Sequence, residues 1–193
     1  MGKEELQSET EQLVQAFLAG DKQAFNRLVL LYQTKVYNLA LNYVKSSEEA
    51  QDLAQDIFVT VYKSIGNLRE QNKFTSWLYQ IAINHCRNRY KKLARRGFFS
   101  NISLDDEDTF IQIAGDEGPE KILQQENTVK VVRSAIDAMS ETEKEILILR
   151  DLQELAYEEI SVILDIPLGT VKSKLNRARS SLKDRLKKIY NDL

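Results

Sequence analysis

The sequence predicts an all-α protein of two small helical domains joined by an acidic flexible linker, the second a helix-turn-helix domain. Three observations carry this. Apolar residues recur at helical spacing along 193 residues, with only 2 prolines and 7 glycines to interrupt them. No stretch alternates apolar and polar residues as a half-buried strand does. Residues 156–186, AYEEISVILDIPLGTVKSKLNRARSSLKDRL, combine a short amphipathic helix, a tight Ile166-Pro167-Leu168-Gly169 turn and a second helix opening with basic and amide side chains.

In chain order, residues 10–19 form a short helix with Leu13, Phe17 and Leu18 inward. Asp21 caps a longer helix to about Val44, with Phe25, Leu28, Val29, Tyr32, Val36, Leu39 and Tyr43 at helical spacing. Ser46-Ser47-Glu48-Glu49 is a capping box, and a third helix follows to about Ile65. Gly66 to Lys73 is a polar loop. The fourth helix, about Thr75 to Ala94, begins apolar with Trp77, Leu78, Ile81 and Ala82 and ends basic. These elements make a first domain, residues 1–97. Residues 98–119, rich in acids and closed by Gly118-Pro119, are the linker. The second domain, residues 120–193, holds helices near Glu120–Ala138, Glu141–Leu149, Tyr157–Leu164 and Val171–Tyr190. Ser140 with Glu143 makes a capping box, and Thr170 is the cap candidate of the last helix.

The net charge of -2 conceals a segregated distribution. Asn84 to Arg96 holds six bases and no acid, and Lys172 to Lys188 holds eight bases and the single acid Asp184. Between them, Asp105 to Glu120 holds seven acids and no base. This basic–acidic–basic order is compatible with nucleic acid despite the near-neutral total. A single cysteine, Cys86, excludes an intrachain disulfide. With no signal peptide and no apolar run near the length of a membrane span, a reducing cytoplasm without membrane insertion is the expected setting.

Three surfaces stand out. In the last helix Val171, Leu175 and Ala178 should pack on Ile160, Ile163, Leu164 and Ile166. That leaves Thr170, Lys172, Ser173, Lys174, Asn176, Arg177 and Arg179 for DNA. Arg and Lys reach guanine acceptors, Asn pairs with adenine, and all three bind phosphate. In the fourth helix Phe74, Trp77, Tyr79, Asn84 and Tyr90 lie before or among the bases, a mixture suited to unpaired bases. Trp77 is better explained as core. In the third helix Asp52, Gln55 and Asp56 share a face, which charge alone would explain as solvation. His85 beside Cys86 lacks further ligands, and helix neighbours point about 100° apart, so no metal or catalytic role is expected. No glycine loop for phosphates occurs, and no cofactor or enzymatic chemistry is implied.

The chain resembles the bacterial sigma factors, specifically the compact two-domain extracytoplasmic-function kind. Three blocks carry the resemblance: EAQDLAQDIF at residues 49–58, KFTSWLYQIAIN at residues 73–84, and Tyr157 to Lys174 around the turn. The resemblance implies a factor that directs core RNA polymerase to promoters and helps melt them. Asp52, Gln55, Asp56 and Phe58 would dock on the polymerase. Lys73, Phe74, Asn84, Arg87 and Asn88 would meet the single-stranded minus-ten element. The last helix would read the double-stranded minus-thirty-five element. The acidic linker would thread the polymerase RNA path, and an anti-sigma protein is a further partner of many such factors. Housekeeping sigma factors carry paired tryptophans that wedge the duplex open. Here Gln80 and Ile81 stand near that place, which implies weaker melting and a stricter promoter. The alternative is a free-standing helix-turn-helix regulator, which would not need the Asp52, Gln55, Asp56 face. A nucleic-acid-processing enzyme would need a carboxylate or His/Cys cluster that the sequence does not offer.

Overall fold

The computed structural model describes residues 2–100 and 131–191, apart from 133 and 137. The described residues are helical, without strands, and the chain divides into two units, Met1–Ile111 and Gln112–Leu193. The predicted linker, apart from its first three residues, and the start of the helix placed near Glu120 lie outside the described residues.

The first unit is built on four helices: α1 (Lys3–Leu18), α2 (Lys22–Val44), α3 (Ser47–Ser64) and α4 (Phe74–Arg95). Helix α2 packs against the other three. Asp21 starts it by accepting from the Gln23 amide at 2.9 Å, and Ala24, Phe25, Leu28, Tyr32, Val36 and Leu39 bury one face. Ala50, Leu53, Ile57 and Val61 of α3, with Phe74, Leu78, Ala82, Ile83 and Cys86 of α4, complete the core. Two expectations are corrected here. Helix α1 begins at Lys3, well before residue 10, and Leu18 at its end is exposed while Val14 is fully buried. The Ser46 cap of α3 is only half a capping box: Ser46 accepts from the Glu49 amide, but the Glu49 carboxylate pairs with Arg89 of α4.

Helix α4 ends at Arg95, and Gly97, just past its cap residue Arg96, has a φ of 71° that suits glycine. Phe98–Ser100 then form one short turn, with Phe99 4.9 Å from the Tyr90 ring. Phe99 therefore packs on Tyr90 of α4, and Phe98 stacks edge-on against Phe99 at 5.6 Å, where the sequence placed the start of the linker.

In the second unit, residues 131, 132 and 134–136 are helical. The Ser140–Glu143 capping box is made in both directions and starts α5 (Glu141–Leu147). The predicted helix to Leu149 instead passes into a π turn, Ile148–Leu152. Helices α6 (Tyr157–Leu164) and α7 (Leu168–Asn191) follow. Ile146, Leu149, Leu155, Ile160, Ile163, Val171, Leu175 and Ala178 form the core, while Leu164 and Ile166 are only half-buried.

Candidate nucleic-acid interface

The turn between α6 and α7 is held by three local devices. Asp165 caps α6 in the left-handed region (φ 53°), tolerated by aspartate better than by most side chains. The Ile166 amide donates to the Ser161 carbonyl at 3.1 Å, and the Ser161 hydroxyl donates to the Ile166 carbonyl at 2.6 Å. The Pro167 carbonyl accepts from Thr170 and Val171 at 2.8 and 3.0 Å, so α7 begins at Leu168. Thr170 is therefore not the cap; it lies inside the first turn. Proline ends the preceding segment without needing a side-chain cap, and Leu168 and Gly169 are recruited into the helix.

Helix α7 turns Val171, Leu175 and Ala178 inward and leaves Lys172, Ser173, Asn176 and Arg177 exposed on the other side. Lys174 is half-buried on the flank. Ser173 donates to the Thr170 carbonyl at 3.1 Å, so its proton is used within the helix. Arg179 is exposed as well, but it is already engaged within the unit. Its guanidinium forks onto Asp151 of the π turn, with Nε 3.3 Å from Oδ2 and Nη2 2.5 Å from Oδ1. The Asp151 hydrogen bond holds the Arg179 pKa above its already high ordinary value. Arg150 reinforces the same corner, donating to the Leu155 carbonyl at 2.8 Å and lying over the Tyr157 ring at 5.0 Å.

On α4, Asn84 and Asn88 are exposed and Arg87 is half-buried. Trp77, Gln80, Asn84, Lys91 and Arg95 follow at spacings of three, four and seven, so they share a face with Asn88. A wheel drawn through the whole helix would have shown this stripe, which attention to the C-terminal charge run alone misses. Phe74 is corrected: it is 1% exposed, 5.6 Å from the Tyr32 ring and 6.1 Å from Trp77, and so belongs to the core. Lys73 is exposed and pairs with Glu70 at 2.7 Å, a surface contact of little strength. His85 Nε2 lies 3.1 Å from the Thr60 hydroxyl. Among the described residues no three His, Cys, Asp or Glu side chains are placed to hold a metal.

On α3, Asp52 and Gln55 are exposed, and Phe58 is half-buried on the flank. Asp56 is exposed but engaged: Arg89 bridges it at 3.0 Å and Glu49 at 2.5 Å. The acidic face and the basic helix are thus partly paired with each other. Two residues that sequence reasoning missed complete the outward stripe. Val59 and Tyr62, each 45% exposed, follow Asp52 and Gln55 at i+7 and i+10. Their helical spacing from Asp52 and Gln55 is the signal that could have found them. Tyr62 is anchored beneath by Phe25 and Phe17, at 5.0 and 5.4 Å.

Comparison with known proteins decides what these surfaces belong to. Residues 28–96 match Sigma-70 region 2, and residues 130–182 match Sigma-70 region 4. The chain is 34% identical to the RNA polymerase sigma-H factor of Pseudomonas aeruginosa over 192 residues, covering 96% of this chain and 98% of that one. The chain belongs to the extracytoplasmic-function sigma factors of RNA polymerase. It is also 32% identical to the ECF RNA polymerase sigma-E factor of Escherichia coli, covering 92% of this chain and 94% of that protein. Among solved structures, the fold is similar to that of CnrH in complex with the cytosolic domain of CnrY, with a TM-score of 0.69, 17% identity and coverage of 93% and 97%. It is likewise similar to the sigma factor RpoE in complex with the anti-sigma factor NepR from Bartonella quintana, with a TM-score of 0.61, 22% identity and coverage of 84% and 96%.

This sigma factor therefore directs RNA polymerase to promoters, with polymerase and promoter DNA as its partners. The free-standing regulator is set aside, because a region 2 match covers the helices that a lone helix-turn-helix protein would not carry. No described helix is long and apolar enough to cross a membrane.

Proposed function

We propose that the two units divide promoter recognition between them. The first unit, with the boundary expected near residue 97 moved past Phe99, docks on core polymerase and meets the minus-ten element. The second reads the minus-thirty-five element. The acidic connection, expected over residues 98–119, is then proposed to run from about residue 100 to 119. The observation that carries this is the asymmetry of α7: an apolar side locked into the unit and an opposite side bearing Lys172, Asn176 and Arg177. On α4 the stripe through Asn84 and Lys91 offers an amide at its middle and charge at its end, suited to an unpaired base followed by phosphates. On α3 the docking set is Asp52, Gln55, Val59 and Tyr62, with Asp56 shared between docking and the Arg89 bridge. The chain contributes position and strand stabilisation, and the polymerase contributes the chemistry, in the cytoplasm. An anti-sigma partner, as the solved relative RpoE has, would compete for the apolar and acidic α3 face.

The start of α7 at Leu168 puts Lys172 and Ser173 in its second turn and Asn176 and Arg177 in its third. Replacing Arg177 by alanine is expected to cost about 1–3 kcal/mol in promoter binding and to relax preference at one upstream base pair. Replacing Lys187, further along the helix, should weaken all promoters alike or change nothing. Transcription by reconstituted holoenzyme from a library randomised across the upstream element separates the two. A uniform loss with Arg177→Ala makes Arg177 a phosphate contact and removes it from the base-reading set.

A further inference from the structure

Helix α4 starts without a capping side chain: Lys73 stands at its N-cap and makes no side-chain bond to the first turn. Its position is fixed instead from outside, by a chain of three hydroxyls. Tyr32 of α2 is 1% exposed, and its hydroxyl lies 3.0 Å from Thr10 Oγ1 of α1 and 2.7 Å from Thr75 Oγ1 of α4. Thr10 is itself 2% exposed, and its hydroxyl also reaches the Leu6 carbonyl at 2.7 Å. Each hydroxyl has one proton to give. A carbonyl can only accept, so Thr10 spends its proton on Leu6 and must accept from Tyr32. Tyr32, its proton spent, must accept from Thr75. The chain is directional: Thr75 donates to Tyr32, Tyr32 to Thr10, and Thr10 to the backbone of α1. A second tie runs in parallel, where Gln15 of α1 donates to the Gln71 side chain at 3.4 Å, in the short turn Gln71–Lys73 just before α4.

We propose that α1 is a positioning helix for minus-ten recognition: Thr10 and Tyr32, with Gln15, hold the Gln71–Lys73 turn and the first turn of α4 in register for the unpaired strand. Thr10 and Gln15 lie outside residues 28–96, the stretch that matches region 2. The inference rests on the proposed placement of the minus-ten strand along α4. Thr10 and Tyr32 are buried residues of α1 and α2, outside the exposed α3 stripe, so their loss should spare polymerase docking. Buried hydroxyl chains favour one arrangement because every alternative leaves a proton or a lone pair unmatched. Loosening this chain should therefore blur base discrimination at the minus-ten element more than it weakens the holoenzyme.

The test uses full-length Thr10→Val, Tyr32→Phe and Thr10→Ser proteins assembled with core polymerase. Circular dichroism first establishes equal helix content, and competition with unaltered protein gives polymerase affinity. Permanganate reactivity then measures opening on promoters with matched and substituted minus-ten bases. Thr10→Val and Tyr32→Phe are expected to compete normally for polymerase while the ratio of matched to substituted opening falls about three- to tenfold, the equivalent of one neutral hydrogen bond. Thr10→Ser, which keeps the hydroxyl, should restore the ratio. An unchanged ratio, even with a lowered melting temperature, overturns the proposal and leaves the hydroxyl chain a purely structural feature. Asn84→Ala in the same assay tests the underlying site: if it lowers initial duplex binding and opening equally, the placement of the strand on α4 fails, whatever the Thr10 variants do.

Discussion

Replacing Ile160 by alanine is expected to destabilise the second unit by about 2–5 kcal/mol, the range for removing a large aliphatic side chain from a sealed core. Ile160 is fully buried, within a core that also holds the equally buried Ile146, Leu149 and Val171. A unit of this size has little stability to lose, since small domains bury a smaller fraction of their surface. The substitution should therefore unfold the helix-turn-helix while the α1–α4 core, which has its own apolar interior, remains helical. Urea unfolding of the whole chain followed by circular dichroism should show one part of the transition moving to lower denaturant and the other unmoved. In transcription, dependence on the upstream element should disappear. Val162, on the same helix but 49% exposed, is the control: Val162→Ala should change stability by no more than about 0.5 kcal/mol. Equal effects at the two positions would contradict the packing described for α6.

Reversing charge at Asp52 should weaken polymerase binding by about 2 kcal/mol or more, roughly thirtyfold, without changing the melting temperature. Asp52 is exposed at the N-terminal end of a stripe with Gln55, Val59 and Tyr62, and a mixed apolar and charged stripe suits the centre and rim of an interface. Asp56, its neighbour, cannot give so clean a result. Reversing it would set a positive charge against Arg89 and disturb the joint between α3 and α4 as well as the surface. Arg89→Ala isolates that second effect, with an expected loss of about 1–3 kcal/mol of stability, because the half-buried Glu49 carboxylate loses its partner. Competition for core polymerase alongside thermal melts distinguishes the cases. Asp52→Arg that competes as well as the unaltered chain removes α3 from the docking surface.

Where the sequence was a good guide, local physics decided the outcome. Helix α6 runs from Tyr157 to Leu164 as its apolar spacing requires, and the Ser140 capping box stands where serine and glutamate three apart place it. The family blocks likewise identified what kind of protein this is before any geometry. The failures have a common cause in contacts between distant residues. The early start of α1 was hidden because an inward position is filled by a polar residue, Thr10, whose hydroxyl is satisfied by Leu6 and Tyr32. Phe74 was assigned to DNA from its basic neighbours, yet Tyr32 of another helix claims it for the core. Arg179 was one of eight bases in a run, and Asp151, 28 residues earlier, pairs with it although it is exposed. At the start of α7, threonine looked like the cap, but proline's carbonyl had already begun the helix.

The central claim is that this chain finds promoters as part of a polymerase holoenzyme, through two DNA-facing surfaces that act together. The most direct measurement is fluorescence anisotropy of a labelled promoter duplex, chosen from fragments that the reconstituted holoenzyme transcribes, titrated with the chain alone and then with core polymerase present. The chain alone should bind poorly, because its acidic segments oppose its basic helices. Adding polymerase should produce specific binding that weakens steeply with salt. Tight, sequence-specific binding by the chain without polymerase would contradict the account.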